Sequence, residues 1–175
     1  MFLDLPSPFI WVLNTVGLAG LPLMISWLFI RLPHQLFASD KGITKLLPFE
    51  KNGTRFTRIL RIKRWKRWLP DGGAWMKNGF AKKKLAAVNP VYIEQFMRET
   101  RRGEWAHWCM LLSTPLFSLW NEGWSLVIVL TYAFAVNVPC ILVQRYNRSR
   151  FSRLMLRRDE ICYPKKMTSA RLEEF

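Results

Sequence analysis

Apolar and polar positions alternate in blocks along this chain of 175 residues, with long greasy runs set between strongly basic stretches. Residues 9–30, "FIWVLNTVGLAGLPLMISWLFI", carry no charge over 22 positions, and residues 124–143, "WSLVIVLTYAFAVNVPCILV", carry none over 20. At about 1.5 Å of rise per residue, each is long enough as a helix to cross a hydrocarbon core of about 30 Å. Between them lies 105–120, "WAHWCMLLSTPLFSLW", which is shorter and has Pro115 near its middle. The pattern predicts an all-α integral membrane protein with about three transmembrane helices, over 9–30, 105–120 and 124–143. It reads as a single membrane domain over 1–175, with a cytoplasmic insertion at 31–104 and a basic cytoplasmic tail at 145–175. A buried helix of a soluble protein would explain any one run, but two clean runs in so short a chain favour the bilayer.

Between the first two runs the period changes. In "TRFTRILRIKRWKRWLPDGG", residues 54–73, Phe56, Ile59, Leu60, Ile62, Trp65, Trp68 and Leu69 recur close to helical spacing among seven basic residues. That composition suits a helix lying in the membrane interface, ended by the turn Pro70-Asp71-Gly72-Gly73. A strand over part of 59–66 is the alternative. Lys63, Arg64, Lys66 and Asp71 are the residues there that would face a polar substrate group. Further on, Asn89-Pro90 is a helix start, a side-chain cap followed by proline at the first helical position. From it a helix runs through residue 104 into the second apolar run, with Tyr92, Phe96, Glu99 and Gly103 down one side.

Charge orients the spans. Half the residues are apolar yet the mean hydropathy is only +0.01, because 27 Lys and Arg against 12 Asp and Glu offset the greasy runs. Every basic residue lies in 31–104 or 145–171, with none before 31 or in the turn "NEG" at 121–123. Three crossings with the N-terminus outside and the C-terminus in the cytoplasm fit that partition. Asp4 is the only charged side chain ahead of the first run, so the basic n-region of a secretory signal is missing, and no small-residue cleavage site closes the run well; an uncleaved anchor is expected. The net charge of +15 invites a nucleic-acid reading, but no RNA- or DNA-binding motif accompanies it. Basic segments beside an anionic leaflet explain it, at about 1 kcal/mol per residue. Membrane lipid is therefore the expected partner, and nucleic acid is not. Cys109, Cys140 and Cys162 have no metal-ligand spacing and receive no chemistry, no metal site is expected, and His34 reads as a loop residue.

The candidate chemistry sits at the edge of the second run, in "ETRRGEWAHW" at 99–108. Glu104 and His107, three apart, lie on neighbouring helical turns, so the carboxylate is placed to orient the imidazole as a general base. Arg101 competes for Glu104. Glu99, about 12 Å along the axis from His107, is placed to pair with Arg102 or face a substrate. The plainer account is that Trp105 and Trp108 are interface anchors and the charges mark where the membrane ends. The third run supplies "NVPCILVQRYNRSR" at 137–150, with Asn137 at membrane depth, where polar groups usually face a functional interior. A three-residue turn makes runs two and three antiparallel, which brings His107 and Arg145 to one level.

"KRWKRWLPDGG", "ETRRGEWAHW" and "NVPCILVQRYNR", in this order after one apolar span, resemble the glycosyl-4,4'-diaponeurosporenoate acyltransferases over roughly residues 10–155. These are small membrane enzymes of staphyloxanthin-type C30 carotenoid biosynthesis. The resemblance implies an acyltransferase of the cell membrane. Its reaction would esterify a sugar hydroxyl of a glycosylated carotenoid acid, with acyl-CoA, acyl-carrier protein or phospholipid as candidate acyl donor and no other cofactor. It draws attention to Trp65, Lys66, Asp71 and Gly72, to Glu99, Arg102, Glu104, His107 and Trp108, and to Asn137, Pro139, Gln144, Arg145, Tyr146, Asn147 and Arg148. Of these, the expected catalytic residues are His107 and Glu104. The expected substrate-binding residues are Trp65, Lys66, Asp71, Glu99, Arg102, Asn137, Arg145, Asn147 and Arg148. His107 would take the proton of the sugar hydroxyl, Asn147 or Arg145 would meet the oxyanion, and Lys66 and Arg148 would hold donor phosphates. No Gly-x-Ser-x-Gly elbow is present, and no His-x4-Asp pattern either, since Leu112 stands where its aspartate would follow His107. The rival readings are an acyltransferase for another membrane glycolipid and a non-catalytic basic scaffold or lipid-binding protein.

Overall fold

Helix accounts for every regular element among the described residues of the computed structural model, which are 3, 5–50, 53–70, 72–75, 77, 79–80, 82 and 89–162, with backbone only at 72, 75 and 158–162. Helix α1 spans Ser7–Arg31, and two short 3-10 turns follow at His34–Phe37 and Gly42–Thr44. The basic middle holds α2 (Thr54–Arg58), α3 (Ile62–Trp65) and α4 (Gly72–Trp75). Helix α5 (Pro90–Ser113) and a 3-10 segment (Thr114–Leu119) lead to α6, Gly123–Cys162.

Two of these helices, α1 and α6 from Gly123 to Arg157, are long and apolar enough to cross a membrane. Only Ile25 of α1 is buried, while Phe9, Trp11, Val16, Leu23 and Met24 lie exposed. The first half of α6 likewise presents Trp124, Ile128, Tyr132 and Phe134 to its surroundings. Apolar surface left open on this scale suits lipid rather than water, and the protein is membrane-associated on that ground. The middle apolar run does not form a third helix of this kind. Its α-helix stops at Ser113 and it continues as a 3-10 turn over Thr114–Leu119. Pro115, lacking an N–H, cannot continue the α-helical ladder, and the tighter turn takes over there.

Helix α5 begins as the sequence predicts. The Asn89 side chain accepts a hydrogen bond from the Tyr92 N–H at 2.7 Å, and Pro90 occupies the first turn. It packs antiparallel along α6, with Phe96 against Phe151 (ring centroids 4.7 Å apart) toward one end and His107 against Asn137 toward the other. Gly123, at φ +51°, opens α6 in the left-handed region that glycine enters without strain. At the end of the molecule where that turn sits, Asn14 of α1 and Asn121 exchange two amide hydrogen bonds of 2.8 Å, and Trp120 Nε1 donates to Asn14 Oδ1 at 2.8 Å. In the middle of the molecule Ala106 and Met110 of α5 meet Ile25 of α1.

The single amphipathic helix expected over 54–69 is instead broken. Arg61 adopts a left-handed conformation (φ 46°), which separates α2 from α3. Phe56 and Ile62 are both buried against Tyr146, while Ile59 and Trp68 are exposed. Six residues apart, they would lie about 240° around a continuous helix from one another. The break at Arg61 lets both reach one pocket, and Trp65 Nε1 closes it by donating to the Leu60 carbonyl at 2.8 Å.

Candidate active site

The charged residues at the start of the second apolar run do not merely mark a membrane edge: Glu99, Arg101, Arg102 and Glu104 are all buried. Glu104 is fully enclosed and faces α6. Arg145 Nη1 donates to its Oε1 at 2.6 Å, and Arg148 Nη2 stands 2.6 Å from its Oε2 as an ion contact outside hydrogen-bond alignment. The expectation that Glu104 orients His107 is therefore corrected: its two oxygens belong to the two arginines. Arg101 does not compete for Glu104 either, since its Nε donates to Asp40 at 2.6 Å.

Arg145 is held from every side. Its Nε and Nη2 form a fork with Glu50, at 2.9 and 2.5 Å, and its remaining donors reach the carbonyls of Ile43 and Lys45 at 3.0 Å. Arg148, with no exposed surface, adds the Thr44 carbonyl at 2.6 Å and Asp40 at 3.0 Å. Three arginines thus meet the three carboxylates of Asp40, Glu50 and Glu104, which clasps the 40–50 loop onto α5 and α6. Arg145 with its donors spent in this way, and Arg148 fully buried with its Nη1 unpartnered, both stand away from any substrate, against the expectation for both. Asp40 and Glu50 were missed in the sequence, although they are the only carboxylates between residues 5 and 70, a scarcity that points to their use.

Burial pushes the Glu50 carboxyl up, but the hydrogen bonds from Arg145 and the Leu47 N–H, with the Arg145 and Arg148 charges, hold it below its ordinary 4.5. A carboxylate lowered in the folded state contributes stability that is fully present above pH 4.5 and is lost as pH falls through the lowered value. The thermal midpoint in detergent should therefore fall on acidification below pH 4.5, and Glu50→Gln should show a shallower acid decline. An acid slope identical in the two proteins would exclude this source.

On the other side of α5 lies a cavity of about 560 Å³. It is walled by α1 (Ser26, Phe29, Ile30), the basic middle (Lys66, Arg67, Leu69, Pro70), Phe80 and Lys82, α5 (Glu99, Arg102, Gly103, Ala106, His107, Met110) and α6 (Cys140, Val143, Gln144, Asn147). Of the expected site residues, His107, Lys66, Glu99, Arg102 and Asn147 share this cavity. Glu104, Asn137, Arg145, Arg148, Trp65 and Trp108 do not line it, and Asp71 falls outside the described residues. Trp65 packs in the Tyr146 cluster, and Trp108 lines a separate groove with Glu50 and Arg145. Glu99 and Arg102 pair at 2.9 Å as expected, and Arg102 Nη2 also lies 2.9 Å from Nδ1 of His34, which takes that residue out of a simple loop role.

Burial lowers the Lys66 ammonium from its ordinary value, and the Arg150 and Lys63 charges push the same way, so an anion beside it would be welcomed. Gly103 permits the ends of Lys82 and Gln144 to approach, since a Cβ there would stand 2.9 and 3.0 Å from their nitrogens. His107 Nδ1 meets Asn137 Oδ1 at 2.9 Å. The cavity thus combines an imidazole, an amide pair and several cations with an apolar α1 wall, a set suited to proton transfer on an amphiphile.

No solved structure matches the chain. Among proteins of known name, glycosyl-4,4'-diaponeurosporenoate acyltransferases of Staphylococcus aureus strains RF122, N315 and USA300 are each 36% identical to it over 127 residues, covering 71% of this chain and 75% of theirs. The family profile described as glycosyl-4,4'-diaponeurosporenoate acyltransferase matches residues 33–157, which takes in the clasp, the cavity walls of α5 and α6 and the basic middle but not α1. The chain belongs to the glycosyl-4,4'-diaponeurosporenoate acyltransferase family and is an acyltransferase.

Proposed function

We propose that this protein esterifies a sugar hydroxyl of a glycosylated C30 carotenoid acid with a fatty acyl group, the last step toward a staphyloxanthin-like pigment. The observation that carries the reading is the cavity in which His107 and Asn147 share walls with Lys66 and the apolar side chains of α1. An acceptor with a polyene in the bilayer and a sugar at headgroup depth needs such a site, open to lipid on one side and polar at the other. The family membership supports the reaction class, and the names of the Staphylococcus aureus relatives support the acceptor.

In this reading His107 takes the hydroxyl proton as the sugar oxygen bonds to the acyl carbonyl carbon. The bond between acyl group and carrier then breaks, and the proton passes to the leaving thiol or alcohol. Asn147 donates to the developing oxyanion. Lys66, with Arg67 and Lys82 around the same cavity, holds the phosphate of the donor. Glu99 and Arg102 line the acceptor side as a fixed pair. The topology that suits this is N-terminus outside, three crossings and a site at the cytoplasmic leaflet, with 105–120 crossing as half α-helix and half 3-10 turn. It is supported by the absence of Lys and Arg before residue 31 and in 121–123, and by the Asn14–Asn121 contact that joins those two segments free of basic residues.

The test is mass spectrometry on purified protein in liposomes supplied with the glycosylated carotenoid acid and an acyl-CoA. A product heavier than the acceptor by one fatty acid less one water is expected. An unchanged acceptor, together with identical pigment masses in cells with and without the protein, overturns the reading.

A further inference from the structure

Asn137 was expected to bind substrate, but it lies outside the cavity wall, buried behind His107. Its amide orientation is determined by its second partner. Nδ2 donates to the Ala133 carbonyl one turn back in α6 at 2.9 Å, and a carbonyl oxygen can only accept. The nitrogen therefore points at Ala133, and Oδ1 is the atom 2.9 Å from His107 Nδ1. An amide oxygen carries no proton, so a hydrogen bond across that gap requires the proton on Nδ1. A neutral imidazole with hydrogen on Nδ1 has its lone pair on Nε2.

Resting on the proposed reaction, we infer that Asn137 is a positioning residue that holds His107 in its Nδ1–H tautomer, so that Nε2 is the nitrogen that takes the acceptor's proton. The uncharged amide does what a carboxylate was expected to do. It fixes ring plane and tautomer without placing a charge at membrane depth, where an ionised group is costly. Once Nε2 has taken the proton, Nδ1–H still donates to Oδ1, so the ring does not turn during the transfer. Return of the proton from Nε2 to the leaving group restores the same tautomer. The placement of Asn137 on α6 and His107 on α5 makes this contact depend on the packing of those two helices, which the arginine clasp secures on the opposite side of α5.

The chain has two histidines, so ¹⁵N-histidine labelling in lipid nanodiscs yields a spectrum simple enough to assign, His107→Gln identifying the signals of His107. In the unprotonated ring, wild type is expected to show a protonated Nδ1 and an unprotonated Nε2. Asn137→Leu should shift it toward Nε2–H, and kcat should fall about 10²-fold, within the range for a general base, with the acceptor KM within twofold. Asn137→Asp, whose carboxylate also accepts from Nδ1–H, should restore both the tautomer and most of kcat. An Nε2–H wild-type ring overturns the inference without any variant, as does a tautomer unmoved in Asn137→Leu. The tautomer is read without substrate, so a wrong assignment of the reaction would show in the liposome assay while leaving this spectrum as described.

Discussion

Replacing His107 by alanine is expected to lower acyl transfer by about 10²–10⁴-fold, the usual contribution of a positioned general base, in a protein that still folds. The side chain lines the cavity and its described hydrogen bond is to Asn137, so truncation removes the base without touching the clasp of Asp40, Glu50, Glu104 and the three arginines. A sugar hydroxyl is a weak nucleophile until its proton has somewhere to go, and Lys66 and Lys82, the basic amines of the same cavity, are cations best suited to holding an anion. The measurement is turnover of purified His107→Ala in liposomes beside a thermal melt. Activity within a few-fold of wild type at an unchanged melting point would remove His107 from the reaction.

The second large effect is on stability. Glu104→Gln should destabilise the protein by about 3–5 kcal/mol, the range for breaking a buried ion pair from one side. Both oxygens of this fully buried carboxylate are in contact with arginines, and the neutral amide would leave Arg145 and Arg148 facing each other with one anion fewer. The acceptor KM of whatever fraction remains folded should stay near wild type, because Glu104 does not line the cavity. Unfolding in mixed micelles measures the loss. A Glu104→Gln protein as stable as wild type but inactive would return Glu104 to the catalytic role that its spacing from His107 first suggests.

Those two residues show where sequence reasoning succeeds and where it stops. The helix from Asn89-Pro90 through the doorway residues was legible because a cap, a proline and an apolar period all act within a few positions. Antiparallel α5 and α6 followed from a turn too short for any other arrangement. The break at Arg61 was not legible, because it answers to Tyr146, a residue of a distant helix, rather than to any local preference. The choice of partner for Glu104 was misread for the same reason. Three positions on a helix put His107 within reach, but the arginines of α6, 41 positions away for Arg145, approach from the face that the packed helices enclose.

By itself the sequence determined what depends on neighbours in the chain: two apolar helices of membrane length, the capped start of α5, the segments rich in Lys and Arg and those free of them, and the three stretches from which the site is drawn. Only the tertiary structure decided which charged groups are spent holding the protein together and which face the cavity. Glu50 and Arg145 stand 95 positions apart, and no periodicity couples residues at that distance. Burial makes the decision, since a charge taken out of water must find its counterpart wherever the fold brings one, and what remains unspent on the cavity wall is what a substrate can meet.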